Sequence, residues 1–118
     1  MGAGNFVANN CRIIPTRLGT VTTPVICLTA QGFTQIIGAR IVNTHATNTP
    51  IVNLIYKPVA DGINYFIQAN YTMPVACSLW FPFDAFGVNI NDQILVQQSI
   101  ASSVDTFLFV AEVPGRSQ

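Results

Sequence analysis

Few residues in this 118-residue sequence are suited to acid–base or nucleophilic chemistry, and they are scattered along the chain. His45 is the sole histidine and lies in a Thr/Asn-rich stretch typical of a loop. The acids are Asp61, Asp84, Asp92, Asp105 and Glu112. The serines that could serve in a Ser-His-Asp triad are Ser78, Ser99, Ser102 and Ser103, but none lies in a Gly-x-Ser-x-Gly elbow. We therefore predict no catalytic residues and no enzymatic activity.

Metal and cofactor sites have no better support in the residue pattern. A calcium site at Asn89, Asn91 and Asp92 would hold one carboxylate, whereas tight sites need several, so a turn is the simpler interpretation. Gly2 and Gly4 belong to neither a Gly-x-x-x-x-Gly-Lys nor a Gly-x-Gly-x-x-Gly phosphate loop. We predict no bound metal and no cofactor.

Charge is the strongest compositional signal, because 8% of residues are charged against roughly 25% in typical globular chains. Five basic and five acidic residues give zero net charge. The bases are scattered, so we expect no nucleic-acid stripe and no polybasic membrane patch, and no apolar run approaches a membrane span. Asn, Gln, Thr and Ser supply the polar surface instead, and they can be buried at a protein interface without desolvating an ion.

Three cysteines, Cys11, Cys27 and Cys77, cannot all pair within one chain. Cys27 and Cys77 lie in apolar, strand-like runs, where free cysteine behaves as a small hydrophobic residue. We expect buried thiols and synthesis in a reducing cytosol. The first ten residues carry no positive charge and no long apolar core, so a secretory signal is not expected.

β-Branched and aromatic residues dominate, punctuated by turn residues, and no long segment has a helical apolar period. The predicted strands are 21–29, 34–44, 50–57, 63–72, 76–81, 93–100 and 104–113, with a short piece at 88–90. These seven or eight strands predict a two-sheet antiparallel sandwich of jelly-roll or immunoglobulin-like topology. We place the sandwich domain at 20–118, after an extended N-terminal arm at 1–19 that would reach a neighbouring subunit.

The last predicted strand is apolar on both faces. Val104, Leu108 and Val110 share one face, and Phe107 and Phe109 lie on the other. Since a lone sandwich leaves one face of each sheet in water, the two phenylalanines require a second covering surface. The N-terminal arm and another subunit both remain open, and the low charge favours a subunit.

Trp80 belongs to an aromatic cluster with Phe81, Phe83 and Phe86. Strand alternation places Trp80 opposite Leu79 and Phe81, on the less buried side. It is either a stacking platform for a sugar or an interface anchor, and we favour the anchor because tryptophan is a common hot-spot residue. The interface candidates are Trp80, Phe83, Phe86, Phe107, Phe109, Ile13 and Ile14.

The order of these features resembles a group of small structural proteins of tailed bacteriophages, over about residues 18–114. The segments that carry the resemblance are IGARIVN at 37–43, IVNLIY at 51–56, DGINYFI at 61–67, the Met-Pro before the aromatic strand, NDQILV at 91–96 and FLFVAEV at 107–113. The pattern has a glycine where this chain has Asn91, and asparagine also tolerates left-handed backbone.

The resemblance implies a virion component, either a capsid decoration or cement protein or a subunit of the neck, tail or a fibre. It implies a homo-oligomer whose partners are copies of itself and the major capsid protein or neck and tail subunits. Synthesis would be in the host cytoplasm, and no catalytic residue is carried over. The alternative is a carbohydrate-binding sandwich module of a phage tail or fibre, with Trp80 in its site.

Overall fold

The computed structural model describes residues 11–101 and 104–112, and every regular element in them is a β-strand. The strands are β1 (Cys11–Arg17), β2 (Val25–Thr29), β3 (Thr34–Asn43), β4 (Ile51–Lys57), β5 (Tyr65–Thr72), β6 (Ser78–Val88), β7 (Gln93–Gln98) and β8 (Val104–Glu112). The predicted all-β class is confirmed. No helix in the described residues is long and apolar enough to cross a bilayer.

Two four-stranded antiparallel sheets form the sandwich. Sheet A has the order β1-β8-β3-β6, and sheet B has the order β2-β7-β4-β5. The first strand pairs with the last, the second with the seventh, the third with the sixth and the fourth with the fifth. This nested hairpin is rolled up, so that β3 also pairs with β8 and β4 with β7. Of the two topologies left open by the sequence, this is the jelly roll.

The core lies between the sheets and is built from alternate residues of each strand. In β8, Val104, Leu108 and Val110 are fully buried. Two edge-to-face ring pairs link sheet B to β6 of sheet A, Tyr56 with Phe86 at 5.1 Å and Tyr71 with Phe81 at 5.5 Å, and Phe83 packs on Phe86 within β6 at 5.7 Å. Such pairs contribute beyond the area they bury, so the first two help to hold the sheets together.

Strand β6 is longer than the predicted strand 76–81, because it continues through Pro82 to Val88. Proline is tolerated here because β6 is an edge strand of sheet A. A bulge follows, with the register to β3 shifting between Ile36 and Gly38. Asp84 lies in this bulge with φ of 49°. The first predicted strand also begins later, at Val25, after Pro24.

Much of the predicted N-terminal arm belongs to the sandwich. Residues 1–10 lie outside the described residues, but β1 runs in register with β8 from Cys11 opposite Ala111 to Arg17 opposite Asp105. The apolar stretch at its start favours this pairing with apolar β8. The sandwich therefore includes β1 and does not start at residue 20.

One buried carboxylate joins three separate segments. Asp92 is 3% exposed and accepts hydrogen bonds from the Tyr56 hydroxyl and the backbone N–H groups of Val59 and Asn89, each 2.9 Å long. Burial on its own raises the pKa of Asp92, but these hydrogen bonds outweigh it and hold the pKa below its usual value. The same environment, through desolvation and the bond to Asp92, raises the pKa of Tyr56 to about 12.

We expect Asp92→Asn to lower the free energy of unfolding by about 2–3 kcal/mol in urea titrations at pH 7, because an amide nitrogen would face a donor. Asp61→Asn is the matched control. Asp61 also accepts two hydrogen bonds, from Ile63 N–H and the Tyr65 hydroxyl, but it is exposed, so the loss should be smaller. Equal losses for the two variants would contradict the structural role of Asp92.

The same bonds predict a pH dependence. Since the folded state lowers the pKa of Asp92, its contribution to stability is complete above the unfolded pKa of about 3.9 and is lost as pH falls through the folded pKa. The wild-type protein should therefore lose stability below about pH 4, and Asp92→Asn should lose less over the same interval.

Candidate assembly surface

The outward side of sheet A is the candidate site, and strand register assembles it. Side chains that alternate with the core residues line up across all four strands in rows, and the two central rows are mostly apolar. The first row is Pro15, Phe107, Arg40 and Trp80, and the second is Ile13, Phe109, Gly38 and Pro82. We call these eight residues, with the neighbouring bulge residue Ile37, face A.

Face A is apolar and open in the described chain. Ile13 is 53% exposed, Ile37 44% and Trp80 40%, while Phe107 and Phe109 are half-buried between them. An apolar surface that crosses a whole sheet is unusual for a free monomer and is typical of a contact surface. Four of the seven predicted interface candidates therefore lie together: Ile13, Trp80, Phe107 and Phe109.

Trp80 is held in place by its neighbours on this face. Its ring packs edge-to-face on Phe109, with centroids 5.2 Å apart. The Arg40 guanidinium carbon lies 5.7 Å from the ring centroid, and Arg40 also donates a hydrogen bond of 3.1 Å to Ser78. A Cβ added at Gly38 would come within 2.6 Å of Trp80 Cη2, so the ring can occupy this position only over a glycine.

These contacts favour a protein anchor over a sugar platform. A stacking platform needs an open ring face beside hydrogen-bonding groups, whereas Gly38 and the Arg40 guanidinium both lie against the Trp80 ring. The next residues in the two rows, Phe109 and Pro82, are apolar. A rigid aromatic side chain in apolar surroundings is the usual form of an interface anchor.

Three predicted candidates face the other way. Phe83 is 7% exposed in the core, and Phe86 and Ile14 pack against that core. Phe83 has the same inward phase as Phe81, whereas Phe86 faces inward because the β6 bulge changes the phase of the strand. Ile14 lies opposite buried Leu108, one residue out of phase with Ile13, and the alternation itself could have shown this. We leave these three out of face A.

Several members of face A were not among the predicted interface candidates. Pro15 was placed in the N-terminal arm and Pro82 at the end of a strand, although each occupies an outward position on an edge strand. Ile37 is exposed because it sits at the β3 register shift, which no local pattern reveals. At one end of the face, between β1 and β8, an open groove of about 430 Å³ is lined by Pro15, Thr16, Arg17, Asp105, Thr106 and Phe107.

Most of the residues considered for chemistry make structural contacts. His45 Nδ1 accepts hydrogen bonds from the backbone N–H groups of Thr47 at 3.1 Å and Asn48 at 3.0 Å, which shapes the β3–β4 loop. Glu112 pairs with Arg12 and Asp105 with Arg17, both at 2.8 Å.

Two of the serines considered earlier also have structural contacts. Ser78 accepts a hydrogen bond from Arg40, and Ser99 Oγ accepts one from the Ile51 N–H at 2.8 Å. Ser102 and Ser103 lie outside the described residues. Within the described ranges, no group of three His, Cys, Asp or Glu residues could hold a metal ion.

The four edge strands are poorly suited to pairing with another sheet. β1 and β6 carry Pro15 and Pro82, and β2 has five residues with a register shift. β5 has two register shifts, and Asn70 has φ of 53°. Proline, bulges and short length are devices that block edge-to-edge association. Contacts between copies would therefore use the sheet faces.

No protein-family model and no curated protein matches the sequence. Among solved structures, VP2 of infectious bursal disease virus, in a subviral particle, superposes with a TM-score of 0.51 and 10% identity over 92% of this chain and 34% of VP2. The chain thus spans about a third of the VP2 length.

Two further structures cover most of both chains. The Drosophila NLP core, described for pentamer formation and histone binding, gives a TM-score of 0.54 with 8% identity over 87% of this chain and 97% of that one. A Bacillus endospore appendage protein of disulfide-linked pili gives 0.50 with 12% identity over 85% and 82%. At these identities the likeness is one of fold.

Gly38→Ala tests the packing of Trp80. The added methyl group should displace the ring, lower the free energy of unfolding by about 1–3 kcal/mol and shift tryptophan emission to longer wavelength. Trp80 is the sole tryptophan, so the spectrum reports this site alone. Gly32→Ala is the control, because a Cβ there meets nothing within 4 Å. Unchanged emission in Gly38→Ala would contradict the described packing.

Proposed function

We propose that this chain is a virion structural protein of a tailed bacteriophage, and that it assembles by burying face A against copies of itself. The observation that carries the proposal is an open apolar face across all four strands of sheet A, in a chain with 8% charged residues. Water released from that face is the driving force, at about 25 cal/mol for each Å² of apolar surface buried.

Preorganisation supports this mechanism. Trp80 and Phe109 are already packed against each other, so little side-chain freedom is lost when a partner covers them. Sheet B has a single apolar row of this kind, formed by Ile26, Leu95, Ile55 and Phe66. Its two central residues are 6% and 0% exposed, so its open apolar area is divided between Ile26 and Phe66 on the two edge strands. The better open surface for self-association is therefore face A.

The virion assignment has two independent supports. The first is the resemblance of segments such as 37–43, 51–56 and 61–67 to tailed-phage structural proteins. The second is the fold, since the jelly roll is a common viral capsid architecture and VP2 in a viral particle shares it. The other two neighbours are described as a pentamer and as pili, which are also multi-copy assemblies.

Within the virion, we assign the chain to a decoration or cement protein, or to a neck or tail component. Its partners would be the major capsid protein or neck and tail subunits, in addition to its own copies. Many identical contacts on one particle give avidity without a strong single contact, which suits a small domain with few charges.

We extend the proposal to residues 1–10, which contain Phe6 and Val7 and would contact a neighbouring copy. Because β1 begins at Cys11, the test deletes residues 1–10 and leaves the strand intact. We expect weaker assembly by sedimentation and an unchanged β-sheet circular dichroism spectrum. A deletion variant that assembles as the full chain does would contradict this role.

Ile13→Gln tests face A directly. Since burial of an isoleucine contributes about 1.5–3 kcal/mol, the substitution should weaken self-association at least about tenfold in sedimentation equilibrium. The control is Phe66→Gln, because Phe66 has the same 53% exposure as Ile13 but lies on the β5 edge of sheet B. Equal weakening by both variants would exclude face A as the specific contact.

A further inference from the structure

The few charges of this chain are nearly all paired or hydrogen-bonded. Two arginines form ion pairs, Arg12 with Glu112 and Arg17 with Asp105, while Asp61 and Asp92 accept hydrogen bonds from nearby donors. In the described part of the chain, the charged side chains with no opposite charge within 4 Å are Arg40, Lys57, Asp61, Asp84 and Asp92. Tyrosine hydroxyls and backbone N–H groups already satisfy Asp61 and Asp92, which leaves Arg40, Lys57 and Asp84. Two of these three, of opposite sign, belong to sheet A.

Arg40 stands within face A on the inner strand β3. It is exposed, and its contacts to Ser78 and the Trp80 ring hold it on the surface. Neither contact neutralises its charge. A partner that covered face A with apolar atoms alone would leave a buried, unpaired guanidinium, which is strongly unfavourable.

Asp84 stands at the margin of the same face. It is exposed in the β6 bulge, two residues after Pro82 of the second row. Trp80, directly opposite Arg40, precedes Asp84 by four residues, and Asp84 itself lies in the bulge. Arg40 and Asp84 thus lie on either side of the pair formed by Gly38 and Pro82.

We propose that face A meets face A of a second copy across a two-fold axis, with Arg40 of each copy bonded to Asp84 of the other. This inference rests on the proposed self-assembly through face A. In a two-fold contact, residue i meets j and residue j meets i. One arginine and one aspartate on the same face therefore form two equivalent ion pairs and leave no charge unpaired.

The aromatic residues of face A lie close to such an axis. The point between Arg40 and Asp84 falls near Gly38 and Pro82, where the Trp80 ring packs over Gly38. Trp80 and Phe109 then lie beside the axis, and their rings are covered by the partner. A contact between face A and a different surface would give the two charges no such reciprocal partners.

The test uses charge reversal in the full-length chain. Arg40→Glu and Asp84→Lys should each weaken self-association at least about tenfold in sedimentation equilibrium, because like charges then face each other. A 1:1 mixture of the two variants should associate again. In the mixed pair the introduced glutamate meets the introduced lysine, and the remaining Arg40 meets the remaining Asp84. The double variant should also associate. Lys57→Glu, the same reversal on sheet B, should change nothing.

A second set of variants covers any loss of folding by Asp84→Lys, because Asp84 has φ of 49° and lysine fits that backbone less well than aspartate. Asp84→Asn keeps a compatible residue type and removes the charge. Combined with Arg40→Gln it forms a double-mutant cycle. If the charges meet across the interface, the double variant loses no more affinity than the single variant that binds more weakly.

The outcomes separate this inference from the proposed function. The two-fold contact is overturned if neither the mixture nor the double reversal restores association and the losses of affinity in the cycle are additive. Assembly that remains sensitive to Ile13→Gln in that case still uses face A. A wild-type chain that stays monomeric at high concentration overturns both.

Discussion

Strand β8 lies between β1 and β3 in sheet A, and it is apolar on both of its faces. Its inward residues, among them Leu108 and Val110, close the core. Its outward residues Phe107 and Phe109 form the middle of face A. The same strand therefore contributes to the interior of the sandwich and to the open apolar surface through which we propose self-assembly.

Such a strand poses a register problem. A one-residue slip moves a strand's side chains to the opposite face, and the hydrophobic pattern resists this only weakly when both faces are apolar. The ion pairs Arg12–Glu112 and Arg17–Asp105 stand at the two ends of the β1–β8 pairing. Each exposed pair contributes little stability, about 0–1 kcal/mol, but together they fit a single register. These two ion pairs therefore do more to fix the β1–β8 register than to raise the overall stability.

Local patterns predicted β3, β4 and β7 to within about two residues at each end. They failed at β6, where Pro82 and the Asp84 bulge are compatible with a strand only because β6 is an edge. They also placed the residues of β1 in the N-terminal arm, because β1 pairs with β8 from the opposite end of the chain and no local pattern shows that pairing. Only part of face A was predicted, for the same reason. Phe107 and Phe109 follow from alternation within one strand, whereas Ile37 and Pro15 depend on which strands become neighbours.

The fluorescence of Trp80 offers the most direct test of assembly through face A. It is the sole tryptophan, it lies on the proposed contact surface, and it is 40% exposed in the single chain. Acrylamide quenching measured over a dilution series should be low in the assembled state and rise as sedimentation shows dissociation. Assembly with unchanged quenching of Trp80, or a chain that is monomeric at every concentration, would contradict the account.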